Sequence, residues 1–332
     1  MHKALLRTFA AAGLTLTLAM ALVYSQASFA QGARNYPDKP VRIIVGYSPG
    51  GLPDTIARII AQRLGEVWKQ QIIVDNRPGA NGLVGAEVVV RSVPDGYTLL
   101  VTDNSTHAIH PFLYAKMPFD PMKELIPVSM TARAPLYLAT HPSFPANNMQ
   151  ELIALAKASP GKYSYGSSGI GSTHQLAMEF LKSSLGLDIV HVPYKGTGQS
   201  VPALVGGQVQ MAFSGYTSLS AQVKDGRVKL LAINSLKRSP STPNVPAIAE
   251  MIPGFDFAPT FGFFAPAGMP REIAAKIASD VADALKATEV ATRFANLDII
   301  PIGASGEEFS ASLKADAERY SRAVKISGAK AE

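Results

Sequence analysis

The stretch VRIIVGYSPGGLPDTIARIIAQRLGEVWKQQIIVDN, Val41–Asn76, decides the fold. VRIIV (Val41–Val45) is a short apolar, β-branched run and reads as a strand. From Asp54 to Trp68 the apolar residues Ile56, Ile59, Ile60, Leu64 and Val67 recur at helical spacing. QIIVDN (Gln71–Asn76) is again a strand. Strand, helix and strand at this spacing form a βαβ unit, whose two strands lie parallel with the helix on one face.

The same alternation continues outward. Gly85–Arg91 reads as helix and Thr98–Asp103 as strand. Phe119–Pro145 interrupts the pattern with five prolines and an extended apolar run, and reads as a crossing between domains. A second series follows: helix Glu151–Ala158, strand Lys162–Tyr165, helix Thr173–Ser184, strand Asp188–Val192, helix Ser200–Val205, and strands Val209–Phe213 and Val228–Ile233. Thr242–Pro270, rich in Pro, Gly and Phe, reads as the return crossing. Arg271–Lys325 reads as helical, with breaks near Ala287 and at Pro301–Gly303, and Ser305 with Glu308 forms a capping box. The fold class expected is α/β, two-lobed, with a mainly parallel sheet and flanking helices in each lobe and two crossings between them. Residues 31–135 with 258–332 would form the first lobe and 136–257 the second. Ligands of such folds sit between the lobes.

The first thirty residues have the layout of a cleavable signal peptide. Lys3 and Arg7 precede an apolar run from Ala10 to Tyr24, and Ser28-Phe29-Ala30 ends it with small residues. The run is shorter than the roughly 20 residues a spanning helix needs. Cleavage is expected after Ala30, with export to the periplasm. The chain has no cysteine, which excludes disulfides, thiol catalysis, thiolate metal sites and a lipid-modified N-terminal Cys. Net charge is +6, from 31 basic and 25 acidic residues. The signal peptide holds two of the basic residues and no acidic one, so cleavage leaves +4. No window combines clustered Lys/Arg with aromatics, and no nucleic-acid partner is expected.

Five loops at the carboxyl ends of these strands are rich in Gly, Ser and Thr: Gly46–Asp54, Asn76–Gly82, Thr102–His110, Tyr165–Gln175 and Pro193–Ser200. Ligands of open α/β sheets bind at this end. Gly46 and Gly51 have the spacing of a phosphate loop, but Leu52 and Pro53 stand where Lys and Ser/Thr would follow, so a nucleotide site is not expected. The chemistry offered is backbone N–H, hydroxyl and imidazole, which suits a carboxylate. Each hydrogen bond to a charged group contributes about 1.5–3 kcal/mol. Three or four would hold a small acid at about micromolar affinity.

No H-E-x-x-H metal-hydrolase motif occurs. His107 and His110 lack a third ligand, so neither metal nor cofactor is expected. His174, close to Ser168 and Ser172, reads either as a buried structural histidine or as half of a hydrolase Ser/His pair. His141 and His191 read as structural.

YPDKPVRIIVGYSPGG, NRPGANGLVGAEVV, PDGYTLL, THAIHPFLY, GKYSYGSSGIGSTHQLA, VHVPYKGTGQS, GGQVQMAF and FFAPAGMP occur in this order over the chain after residue 30. In them the chain resembles the periplasmic solute-binding receptors of tripartite tricarboxylate transporters, also called Bug receptors. The resemblance implies a type II-like periplasmic binding protein that captures a small organic acid and delivers it to a membrane permease of two subunits. It implies no enzymatic activity. The expected form is a monomer. A receptor feeding a sensor or regulatory pathway without its own permease is the alternative, and an exported serine hydrolase a further one.

Carried over to this sequence, the resemblance implies first-lobe contacts from Tyr47, Ser48, Gly50, Gly51, Thr106 and His107. Second-lobe contacts would come from Ser168, Ser172, Thr173, Thr197 and Gly198. Leu52 and Pro53 replace a Gly-Thr pair common in the family and make the rim more apolar. Ser214, followed by Tyr216, stands where an Asp commonly meets a ligand ammonium group, which disfavours amino acids. Tyr47, Phe213, Tyr216 and Phe263 are expected near the cleft, where they would favour an apolar or aromatic body on the acid.

Overall fold

The computed structural model describes residues 35–330. The signal-peptide expectation lies outside the described residues. The opening βαβ unit is β1 (Val41–Val45), α1 (Leu52–Trp68) and β2 (Ile72–Asn76), and β1 pairs in parallel with β2 and with β3 (Thr98–Asp103). Ile43, Ile44 and Val45 are fully buried because both faces of β1 are covered. In α1 the buried stripe runs Ile56, Ile59, Ile60 and Leu64, as the spacing requires, but ends on Trp68; Val67 is half exposed. Trp68 packs edge-on against Tyr36 and donates to Asp280 at 2.6 Å.

After β3 and α2 (Leu83–Val90) come three short helices, α3 (Ser105–Ala108), α4 (His110–Leu113) and α5 (Pro121–Glu124), with α2 preceding β3 in the chain. The first crossing joins two strands: β4 (Leu125–Arg133) in the first sheet and β5 (Leu136–Thr140) in the second. The second series is α6 (Met149–Ala158), β6 (Ser164–Ser167), α7 (Thr173–Leu185), β7 (Val190–Pro193), α8 (Thr197–Val205), β8 (Met211–Gly215), α9 (Tyr216–Lys224) and β9 (Lys229–Ile233). The chain returns through β10 (Thr260–Pro266) and closes with α10 (Arg271–Lys286), α11 (Thr288–Asn296), β11 (Ile300–Ser305) and α12 (Gly306–Ser327).

The first sheet has the order β11-β4-β10-β3-β1-β2 and the second β7-β6-β8-β5-β9. Each is parallel on the side built by βαβ units and antiparallel where the crossing strands enter: β4, β10 and β11 in one, β5 and β9 in the other. The sheets are therefore mixed. Crossing strands run back along the sheet they enter, and only βαβ connections enforce parallel pairing.

The Pro301–Gly303 break expected in a helix is part of strand β11 instead. It is a sheet edge, and its pairing with β4 shifts register between Pro301 and Ala304. Proline is tolerated there because an edge strand leaves N–H positions unpaired. The Ser305–Glu308 capping box is present, with Ser305 N donating to Glu308 Oε2 at 2.8 Å.

The two crossings are tied together by Asn234, which is fully buried. Its Oδ1 accepts from Leu136 N at 2.7 Å and its Nδ2 donates to Phe257 O at 2.9 Å. Its backbone N–H donates to Leu136 O and its carbonyl accepts from Phe257 N. One side chain thus bonds backbone groups on both crossings, and Tyr320 OH also donates to Phe257 O at 3.3 Å. The long helix α12 packs on β4 of the first sheet and on α7 beside the second.

Candidate ligand-binding cavity

The carboxyl ends of β1, β3, β6 and β7 surround a cavity of about 1130 Å³. All five loops read from the sequence contribute to its wall. Gly46–Pro49 with Leu52 and Pro53, then Pro78–Gly82, then Asp103, line the side of the first sheet. Ser168–Ile170 with Thr173 and His174, then Pro193–Gln199, line the side of the second. Gly215, Ser218, Leu136, Pro259 and Phe261 complete the wall near the crossings.

Glycine brings the first two loops together. A Cβ on Gly46 would lie 2.7 Å from Gly82 Cα, and one on Gly85 would lie 2.7 Å from Gly46 Cα. Real Cβ atoms do not approach so closely, so only glycine permits this contact. Tyr47 then lies over Gly82, with its hydroxyl 3.0 Å from both Asn81 O and Asp103 Oδ1. The two sides also touch: Asn81 Nδ2 donates to Gly171 O at 3.2 Å, and a methyl group at Gly51 would lie 3.9 Å from Thr197 Oγ1.

Of the residues carried over from the resemblance, Tyr47, Ser48, Ser168, Thr173, Thr197 and Gly198 line the cavity. Gly50 and Gly51 are not part of the wall: Gly50 N donates to Asp54 and Gly51 is the N-cap of α1. Thr106 and His107 are displaced from the wall. Thr106 is fully buried, and His107 stacks on Phe264 at 4.9 Å and bonds Leu125 O through Nε2 at 3.0 Å. The helix α3 turns both inward, and Asp103 takes the place at the wall. Ser172 is the N-cap of α7: its hydroxyl accepts from Gln175 N at 3.2 Å and donates to Gly169 O at 2.7 Å. Ser214 is fully buried beside the cavity and Tyr216 packs against Tyr137, so Gly215 between them forms the wall. Phe213 and Phe263 are core residues with no exposed surface; Phe261, Tyr114 and Tyr194 are the further aromatics at the cavity.

The second wall presents hydrogen-bond donors. Helix α8 starts at Gly196 without a side-chain cap, and the N–H groups of Thr197 and Gly198 have no acceptor among the described residues. Uncapped amides at a helix start carry partial positive charge and attract anions. Helices α1 and α9 also begin at the cavity without side-chain caps. Lys195 and Lys330 are the basic residues of the wall.

Ser168 Oγ lies 2.8 Å from His174 Nδ1, the geometry of a Ser/His pair. His174 Nε2 is enclosed and has no partner among the described residues. Burial pushes its pKa down to about 4, so the ring is neutral near pH 7 and a weak base. On the first wall, burial raises the pKa of Asp103, opposed by the Ser105 N–H and by the Ser105 and Tyr47 hydroxyls.

Residues 56–328 match the family model described as the tripartite tricarboxylate transporter family receptor. Protein BugT of Bordetella pertussis is 33% identical over 300 residues, covering 90% of this chain and 92% of that one. Among solved structures, R. palustris Rpa4515 with adipate superposes with a TM-score of 0.85 at 31% identity, covering 88% of this chain and 98% of that one. MatC from Rhodopseudomonas palustris with bound malate gives 0.81 at 29% identity, covering 87% and 100%. The chain belongs to the tripartite tricarboxylate transporter receptor family, the group that includes the Bug proteins.

Proposed function

We propose that the protein is a periplasmic receptor that holds a small organic acid between two lobes, residues 31–135 with 258–332 and residues 136–257, and passes it as a monomer to a two-subunit membrane permease. The observation that carries this reading is the second wall. The Thr173 and Thr197 hydroxyls and the amides of Thr197 and Gly198, which have no acceptor among the described residues, lie on one side of the cavity. Such donors hold a carboxylate without a dedicated countercharge. That Rpa4515 and MatC were solved with adipate and malate, both dicarboxylates, supports the same ligand class here. The leader read from residues 1–30 supports export.

The Ser168–His174 pair favours a second reading, a serine hydrolase. A working triad has a carboxylate or amide on the far nitrogen of the histidine. Here that nitrogen has no partner among the described residues, and the imidazole is too weak a base at neutral pH. A thermal-shift screen of organic acids with a parallel ester panel separates the two. A receptor gains about 2.7 kcal/mol of stability with ligand at 100 times its dissociation constant and turns over no ester. Ester turnover abolished by Ser168→Ala, or no stabilisation by any acid, would overturn the receptor reading.

A further inference from the structure

We infer that Asp103 is a specificity-determining residue of the cavity, accepting a hydrogen bond from an O–H or N–H group that the ligand carries close to its carboxylate. The inference rests on the reading of the cavity as an organic-acid site and narrows it, to hydroxy- or amino-substituted acids over the plain acid of equal length.

Five aspartates are buried among the described residues: Asp54, Asp103, Asp256, Asp298 and Asp316. In four of them both carboxyl oxygens have donors. Asp54 is met by Arg58, Asn76 and Gly50 N. Asp256 is met by Arg133 and Arg319. Tyr137 and Ser239 bond the two oxygens of Asp298, and Arg319, Asn104 and Thr260 those of Asp316. Asp103 differs. Its Oδ1 accepts from Tyr47 OH and Ser105 N, each at 3.0 Å, and the Ser105 hydroxyl lies close to the carboxylate, while no hydrogen bond to Oδ2 is formed among the described residues. Nor is Oδ2 among the fully enclosed unpartnered atoms, so it keeps a path to the cavity that Asp103 lines. No basic side chain pairs with Asp103 among the described residues.

A half-satisfied carboxylate at 7% exposure is costly unless a ligand completes it. It also repels a ligand carboxylate, which forces that group towards the donors of the second wall. What remains near Asp103 must then donate. A site built around an unpaired acceptor discriminates strongly against a ligand lacking the matching donor. Ser214 does not bear on this choice, because it is sealed behind the wall.

Matched series of dicarboxylates and monocarboxylates, each as the plain, hydroxy and amino acid, test the inference by calorimetry on the wild type, Asp103→Asn and Asp103→Ala. Succinate, malate and aspartate form one such series. In the series the wild type binds, it is expected to prefer a substituted acid at least tenfold. Asp103→Ala is expected to erase that preference, so that plain and substituted acids bind the variant within threefold of one another. Preference for the amino acid alone would assign an ammonium donor, and for the hydroxy acid alone a hydroxyl. Equal binding of plain and substituted acids by the wild type would overturn the inference and leave the receptor reading standing. So would an equal loss for all members in both variants, the signature of a residue that merely positions Tyr47; Tyr47→Phe supplies that pattern for comparison. Binding of no acid in any series would overturn the receptor reading itself. Melting curves establish that each variant is folded.

Discussion

On the first wall of the cavity Tyr47 bonds both Asn81 and Asp103, whereas on the second Thr197 and the opening amides of α8 have no partner among the described residues. The first wall is held by a contact only glycines allow, between Gly46, Gly82 and Gly85. The second is held by capped helix α7 and stands open at α8. A wall whose polar groups are paired but for one acceptor, Asp103 Oδ2, fixes shape and selects; a wall with spare donors binds charge. The proposed reading therefore puts the carboxylate on the second wall and the discriminating contact on the first.

The largest effect is expected from breaking the first wall. Gly46→Val would drive side-chain atoms into the backbone of Gly82. Overpacking against backbone should cost about 3 kcal/mol, and the displaced Tyr47 should take acid binding with it. Urea denaturation and calorimetry on the variant would measure both. Retention of wild-type stability would mean the two loops are free to separate.

Next in size is the joint between the walls. Asn234→Leu keeps volume but leaves Leu136 N–H buried without a partner and Phe257 C=O with only Tyr320 OH. A loss of about 2–3 kcal/mol is expected by chemical denaturation. If Asn234→Leu were neutral, Asn234 would not be what ties the crossings together.

Ser172→Ala sharpens the second wall. As the N-cap of α7, outside the wall that Thr173 lines, Ser172 should affect stability by about 1 kcal/mol and acid affinity less than Thr173→Ala does. An affinity loss equal to that of Thr173→Ala, with no change in melting, would return Ser172 to the ligand.

The smallest effect concerns the buried histidines. Burial lowers His107, His174 and His191 to about 4 and His110 to about 3. Unfolded histidine titrates near 6.5, so the unfolded chain binds these protons first. Their contribution is full above about pH 6.5 and is lost as pH falls towards 4. Both ring nitrogens of His110 lack partners among the described residues, so His110→Phe should cost little at pH 7 and flatten the decline in melting temperature between pH 6.5 and 4.5. An unchanged slope would show that His110 is not among the groups that titrate.

Much of this arrangement is legible in the sequence. The strands β1, β2 and β3 follow from their apolar runs, and the five loops that meet at the cavity follow from Gly, Ser and Thr at strand ends. The capping box at Ser305 is legible because it is local. A similar signal marks Ser172, since Gln175 lies three residues on and accepts from Gly171 N; it identifies a cap rather than a contact. Strand β11 is illegible because Pro301 and Gly303 exclude it from any sheet interior, and only its place at an edge admits it. Asp103 is missed for a related reason. Its importance lies in which oxygen is left unpaired, and that depends on Tyr47 from a distant loop. Thr106 and His107 share their loop, but α3 turns them inward.

The central claim, that the second wall holds the carboxylate, is tested most directly by calorimetric titration of an acid that stabilises the wild type into Thr173→Ala, Thr197→Ala and the double variant. Each lost hydrogen bond to a charged group should cost about 1.5–3 kcal/mol, roughly ten- to 150-fold in affinity, with melting temperature unchanged. The double variant should bind weakest. Wild-type affinity in the double variant would contradict the account.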